Sequence, residues 1–76
     1  MNSRKREKLK NAIDLLERAS ALISDVLDDE QDCLDNMPEN LQSSEKYERM
    51  EAAISSLEES IEQIDNAKDG LENAAE

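Results

Sequence analysis

The chain has 76 residues, enough for one small domain, with one Gly, one Pro, one aromatic residue and no His. Nine Lys and Arg stand against twenty Asp and Glu, a formal net charge of −11. A β-sandwich or barrel needs β-branched and aromatic residues with frequent turns, and a disulfide framework or zinc site needs more than one Cys, so these classes are excluded.

The start, Met1 to Arg6, is basic and no apolar stretch follows it, so it does not read as a secretory signal. No apolar run approaches the ~18 residues of a membrane span. The expectation is a cytoplasmic protein without a membrane partner. A mean hydropathy of −0.86 would by itself permit disorder. The periodicity points the other way.

With Leu9 at position a of a heptad, a holds Leu9, Leu16, Ile23, Glu30 and Met37. Position d holds Ala12, Ala19, Val26 and Cys33, and e holds Ile13, Ser20, Leu27 and Leu34. Position g holds Leu15, Leu22 and Asp29, while b, c and f are polar except Ala21. This period predicts a helix over about residues 3–36. A two-stranded seam uses only two of these positions, so the four-position face implies more than one neighbouring helix. Beyond Leu27 the apolar stripe thins to Cys33, Leu34 and Met37 among acids. Cys33 reads first as a small buried apolar residue, and more sharply as a thiol near a dimer axis that could cross-link.

Pro38 breaks the pattern, because it lacks a donor and disfavours a helical residue before it. The loop is expected over about 37–43, with a short helical turn at Glu39, Asn40 and Leu41 as an alternative local form. Ser43 and Ser44 are candidate N-caps, and Glu45 suits the first turn that follows.

The second helix is expected over about 44–74. Its seam, Tyr47, Met50, Ile54, Leu57, Ile61, Ile64, Lys68 and Leu71, advances by alternating steps of three and four. Ala53, Ser60, Ala67 and Ala74 form a strip of small residues beside it. Gly70 is expected to weaken the last turn and Glu72 to Glu76 to fray. Two helices of similar length and a short loop predict an all-α antiparallel hairpin. A hairpin leaves an apolar face open, so self-association into a dimeric four-helix bundle is expected. The core or oligomer seam then comprises Leu9, Ile13, Leu15, Leu16, Leu22, Ile23, Val26, Leu27 and the apolar seam residues of the second helix.

Charge is unevenly placed. Residues 1–18 carry six bases against three acids, a net +3, and residues 19–76 carry three against seventeen, a net −14. Bases at a helix start oppose the macrodipole, which favours anions there. An antiparallel hairpin would offset this by bringing Asp69, Glu72 and Glu76 beside Arg4, Lys5, Lys8 and Lys10. Between Asp25 and Glu51, ten acids face two bases, a net −8. Asp25, Asp28, Asp29, Glu30, Asp32, Asp35, Glu45 and Glu48 are therefore the candidate partner-binding residues. A dimer would present about −22 over roughly 50 Å, one charge per ~2.3 Å, near the ~1.7 Å of duplex DNA. The acids could stand where phosphates lie in a DNA-binding cleft. The plainer reading is acidity that keeps a small bundle in solution.

Other chemistry is poorly served. Asp28, Glu30 and Asp32 alternate like the start of a calcium loop, but the sixth position is Cys33 where glycine is needed. No His, no phosphate-binding Gly-rich loop and no nucleophile–base pair is present, so no catalytic residue and no cofactor is expected. Arg4, Lys5 and Arg6 could touch phosphates, but the acidic remainder disfavours direct nucleic-acid binding.

The stretch from Asp35 to Glu45 around Pro38, followed by Met50-Glu51-Ala52-Ala53 and an Ile/Leu/Glu-rich helix, resembles small acidic proteins of phages and mobile elements of Firmicutes. The similarity covers most of the chain, with the Pro38 loop its distinctive part. Such proteins often block host defences, including CRISPR nucleases. The resemblance implies a non-enzymatic inhibitor of a basic partner, such as a nuclease or DNA-binding protein. The alternative is an assembly module whose only chemistry is helix association.

Overall fold

The computed structural model describes every residue from Met1 to Glu76. Two helices, α1 (Ser3–Asp35) and α2 (Glu45–Ala75), form a hairpin, and no strand is present. Residues 36–44 connect them through one 3₁₀ turn at Glu39–Leu41, the alternative form that Pro38 allows. The result is a rod with Cα extents of 59 × 15 × 12 Å.

Each helix begins where a side chain can accept a bond from its unpaired amides. The Asn2 Oδ1 accepts from the Lys5 N–H at 2.9 Å, and the Ser44 Oγ accepts from the Tyr47 N–H at 3.2 Å. Of the two serines named as caps, Ser44 serves. Asn2 was not identified from the sequence. At the end of α1, the Asn36 backbone and side-chain amides both donate to the Asp32 carbonyl, at 3.1 and 2.8 Å. The loop then closes on itself, with Leu41 N–H donating to the Pro38 carbonyl at 2.9 Å and the Gln42 amide to the Met37 carbonyl at 3.3 Å.

The expected boundaries hold to within a residue or two, with one difference. α2 is helical through Ala75, so Glu72 to Ala75 belong to the helix. Gly70 is helical and stands in open space. Leu71 beyond it is half-buried, so the last turns retain a packing reason to persist, and Ala74 and Ala75 are strong helix formers.

The wide face of α1 divides in two. Leu9, Ile13, Leu16, Ile23, Leu27 and Leu34, all at a or e, are half-buried. So are Tyr47, Met50, Leu57, Ile61, Ile64 and Leu71 of α2. Within this seam, toward its loop end, Ile54, 6% exposed, is the single buried residue. The g and d residues Leu15, Leu22 and Val26 lie outside it, at 64, 68 and 51% exposure.

The charge compensation expected at the open end is not made by contact. Only Arg49–Glu45, within α2, and Lys68–Glu17, across the hairpin at 3.6 Å, are ion pairs. Arg4, Lys5, Lys8 and Lys10 pair with none of Asp69, Glu72 and Glu76. Long side chains at an exposed helix start lose rotamer freedom on pairing and gain little in return, so they remain solvated.

Ile54→Asp tests the seam. A charge there loses the only fully covered apolar site and costs several kcal/mol if it stays buried. The expected outcome is loss of the helical circular-dichroism signal at 25 °C, with Ser55→Asp, one position round the helix, near wild type. An unchanged Ile54→Asp melting curve would place the seam in another register.

Candidate interaction surfaces

Three surfaces differ in chemistry. The first is the loop end. The last turns of α1 supply Asp25, Asp28, Asp29, Asp32 and Asp35, all exposed, with Glu30 half-buried beside the seam. The first turn of α2 supplies Glu45 and Glu48, also exposed. All eight candidate partner-binding residues therefore gather at one end of the rod. Only two of these carboxylates accept a bond from another side chain: Asp35 from the Gln31 amide at 3.0 Å, and Glu45 from Arg49. The other six are unneutralised. They do not converge into a group able to hold a metal ion.

This arrangement works against α1. A helix terminus favours anions at its start and cations at its end. α1 has no acid in its first turn and no base in its last turn, and it carries bases at the start and acids at the end. α2 has Glu45 and Glu48 in its first turn, the favourable sense. Stability of the helix therefore does not account for the charge order of α1.

The second and third surfaces are the two broad faces of the hairpin. In an antiparallel pair, positions turned the same way from the seam lie on the same face of the layer. One face takes b positions, with Glu17 from α1 and Glu51, Glu58, Asp65 and Glu72 from α2, and it is acidic. The other face takes positions d and g. From α1 it receives Ala12, Leu15, Ala19, Leu22 and Val26, with Lys8 toward the chain start and Asp29 and Cys33 toward the loop. From α2 it receives Ala53, Ser56, Ser60, Gln63, Ala67, Gly70 and Ala74, with Lys46 and Arg49 toward the loop. Every acid of α2 falls elsewhere, so on this face the helix is free of negative charge. The Ser60 hydroxyl donates to the Ser56 carbonyl at 2.9 Å, which satisfies its donor within the helix.

The two helices share this face at the loop end as well. Glu30 and Cys33 of α1, Met37 of the connection, and Lys46 and Met50 of α2 line one open hollow of about 350 Å³. Cys33 is exposed there, contrary to its first reading as a buried residue. Ala12 and Ala19 at d are half-buried, but toward the loop Val26 and Cys33 at d are exposed, and nothing in one hairpin covers them. No helix is long and apolar enough to cross a membrane.

Comparison with protein-family models, curated proteins and solved structures finds no match to this chain.

With like charges crowded and two ion pairs to lose, screening should stabilise the hairpin. Raising salt from about 0.01 to about 1 M shortens the Debye length from ~30 to ~3 Å. A gain of about 1 kcal/mol would raise the melting temperature by about 4–8 °C for a domain of this size. A melting temperature that falls across the same range would mean that attractive pairs dominate.

Proposed function

We propose that this chain is a non-enzymatic protein-binding module whose acidic loop end engages a basic protein surface. One observation carries the reading. Six carboxylates at that end, Asp25, Asp28, Asp29, Glu30, Asp32 and Glu48, have no side-chain partner, and the last turn of α1 carries Asp32 and Asp35, where its dipole disfavours acids. Charge kept at a cost to the helix that bears it is charge with another use. Solubility needs net charge, but it does not need that charge at one end.

The partner class follows from the spacing. An array of carboxylates on a narrow rod suits a cleft built for a phosphate backbone, so the partner is the basic cleft of a nuclease or a DNA-binding protein. A phage-type inhibitor of a host defence nuclease, acting in the cytoplasm, is the form of this reading that agrees with the resemblance of the Pro38 region.

A second reading has its own support. Leu15, Leu22 and Val26 are more than half exposed on one face, which suits a module that acts only by helix association. The two readings separate by salt, because apolar association resists screening and steering by charge does not.

Asp28, Asp29 and Asp32 changed together to Lys should abolish capture of the partner from a bacterial lysate while leaving the helical content intact. The association rate should fall by about 10- to 1,000-fold at low salt. Reversal of Glu62, Asp65 and Glu72, toward the other end, should leave binding near wild type. If the loop-end variant binds normally while Leu15 or Leu22 variants do not, the acidic end is a solubility surface and this reading is overturned.

A further inference from the structure

We infer that the d/g face of the hairpin is the seat of a second copy of this chain, docked antiparallel about a twofold axis that crosses the rod near Ala19 and Ser60. The proposal concerns a different face from the acidic loop end, and only its docking direction draws on the acids of α1 there.

The face has the character of a half-built core. At its centre Leu15 and Leu22 are 64 and 68% exposed, and Val26 is 51% exposed. These residues with Ala19 advance by steps of four, three and four, the repeat of a packed helix seam. Across the layer α2 offers Ala53, Ser60 and Ala67, small enough for another helix to come close. Ala19 and Ser60 are the midpoints of α1 and α2. Both stripes are thus centred at mid-rod, as a self-complementary contact requires. The whole face of a rod 59 × 15 Å offers roughly 900 Å², against the ~800 Å² per partner of a standard interface.

Charge selects the occupant and its direction. Residues 1–18 of α1 carry six bases against three acids, and residues 19–36 carry six acids and no base. A second α1 laid antiparallel brings its net +3 half over the net −6 half of the first, at both ends at once. The opposition between the charges of α1 and its own dipole is then offset twice. Docked with the helices in the other sense, the two loop ends, each net −8 between Asp25 and Glu51, would lie together. Setting small Ala19 opposite Leu22 of the second copy fixes the register, which places Leu15 opposite its Val26. Lys8 then lies opposite Cys33 of the second copy. The two Cys33 thiols are separated by 25 residues of helix, about 37 Å.

Light scattering and disulfide mapping test this on the full chain. The wild type at about 50 μM should have twice the 8.6 kDa monomer mass, and Leu22→Glu should return it to the monomer. Since Leu22→Glu could also unfold the chain, Lys8→Cys decides independently. Mild oxidation with oxidised glutathione should convert Lys8→Cys to a covalent dimer whose linked peptides join positions 8 and 33. The wild type, with Cys33 alone, should stay uncross-linked within the dimer. A monomeric wild type at about 50 μM would assign the face to a different protein and overturn the proposal. Cross-links joining 33 to 33 or 8 to 8, with no 8-to-33 link, would overturn the antiparallel docking.

Discussion

Two helices laid side by side enclose a line rather than a volume. A side chain on that line can be covered only by its neighbours along the seam, and everything one step round the helix meets water. Ile54 alone is buried here, in a chain of 76 residues. The other seam residues lose part of their surface, so the apolar gain per residue is well below that of a globular core. The remaining features of the molecule, its capped helix starts, its self-bonded loop and its unevenly coloured faces, are set by how little such a layer can hide.

The loop illustrates the economy. Asn36 satisfies the end of α1 twice over, and Gln42 reaches back to the Met37 carbonyl, so the turn is held by its own polar groups and needs no apolar plug. Charge is then free to occupy the outside. On α2 negative charge is kept off one face, with Glu51, Glu58, Asp65 and Glu72 on the opposite face and alanines, serines, glycine, Lys46 and Arg49 on the acid-free one. On α1 the division runs along the axis, from basic to acidic. One short chain therefore carries two independent patterns, one across the rod and one along it.

Most of the fold was legible because its signals are periodic. The step of three and four through Tyr47, Met50, Ile54 and Leu57 specifies the inward side of α2, and Pro38 specifies the break. The face of α1 was harder. Four apolar heptad positions mark a helix with more than one neighbour, but they do not say which pair turns toward α2. The choice of a and e became visible only in three dimensions, and it placed Leu15, Leu22, Val26 and Cys33 outside. Asn2 escaped notice because a cap is recognised by the helix it precedes, and the basic run after it does not look like a helix start. The acidic end was legible as composition. Its lack of ion-pair partners was not, since a sequence gives the inventory of charges and not which of them meet.

The position of the loop also orders how the molecule comes apart. Residues paired across the hairpin near Met37 and Met50 are separated by a short stretch of chain, whereas Leu9 and Leu71 are separated by most of it. Closing the first pairs costs little loop entropy and each later pair extends a zipper already begun. Opening runs the same path in reverse, from the termini inward. Amide hydrogen exchange should therefore be fastest at both chain ends and slow progressively toward the loop end of the seam. The basic start of α1 belongs to the part of the rod that visits the open state most often, and proteases that cut after Lys and Arg find Arg4, Lys5, Arg6, Lys8 and Lys10 concentrated there.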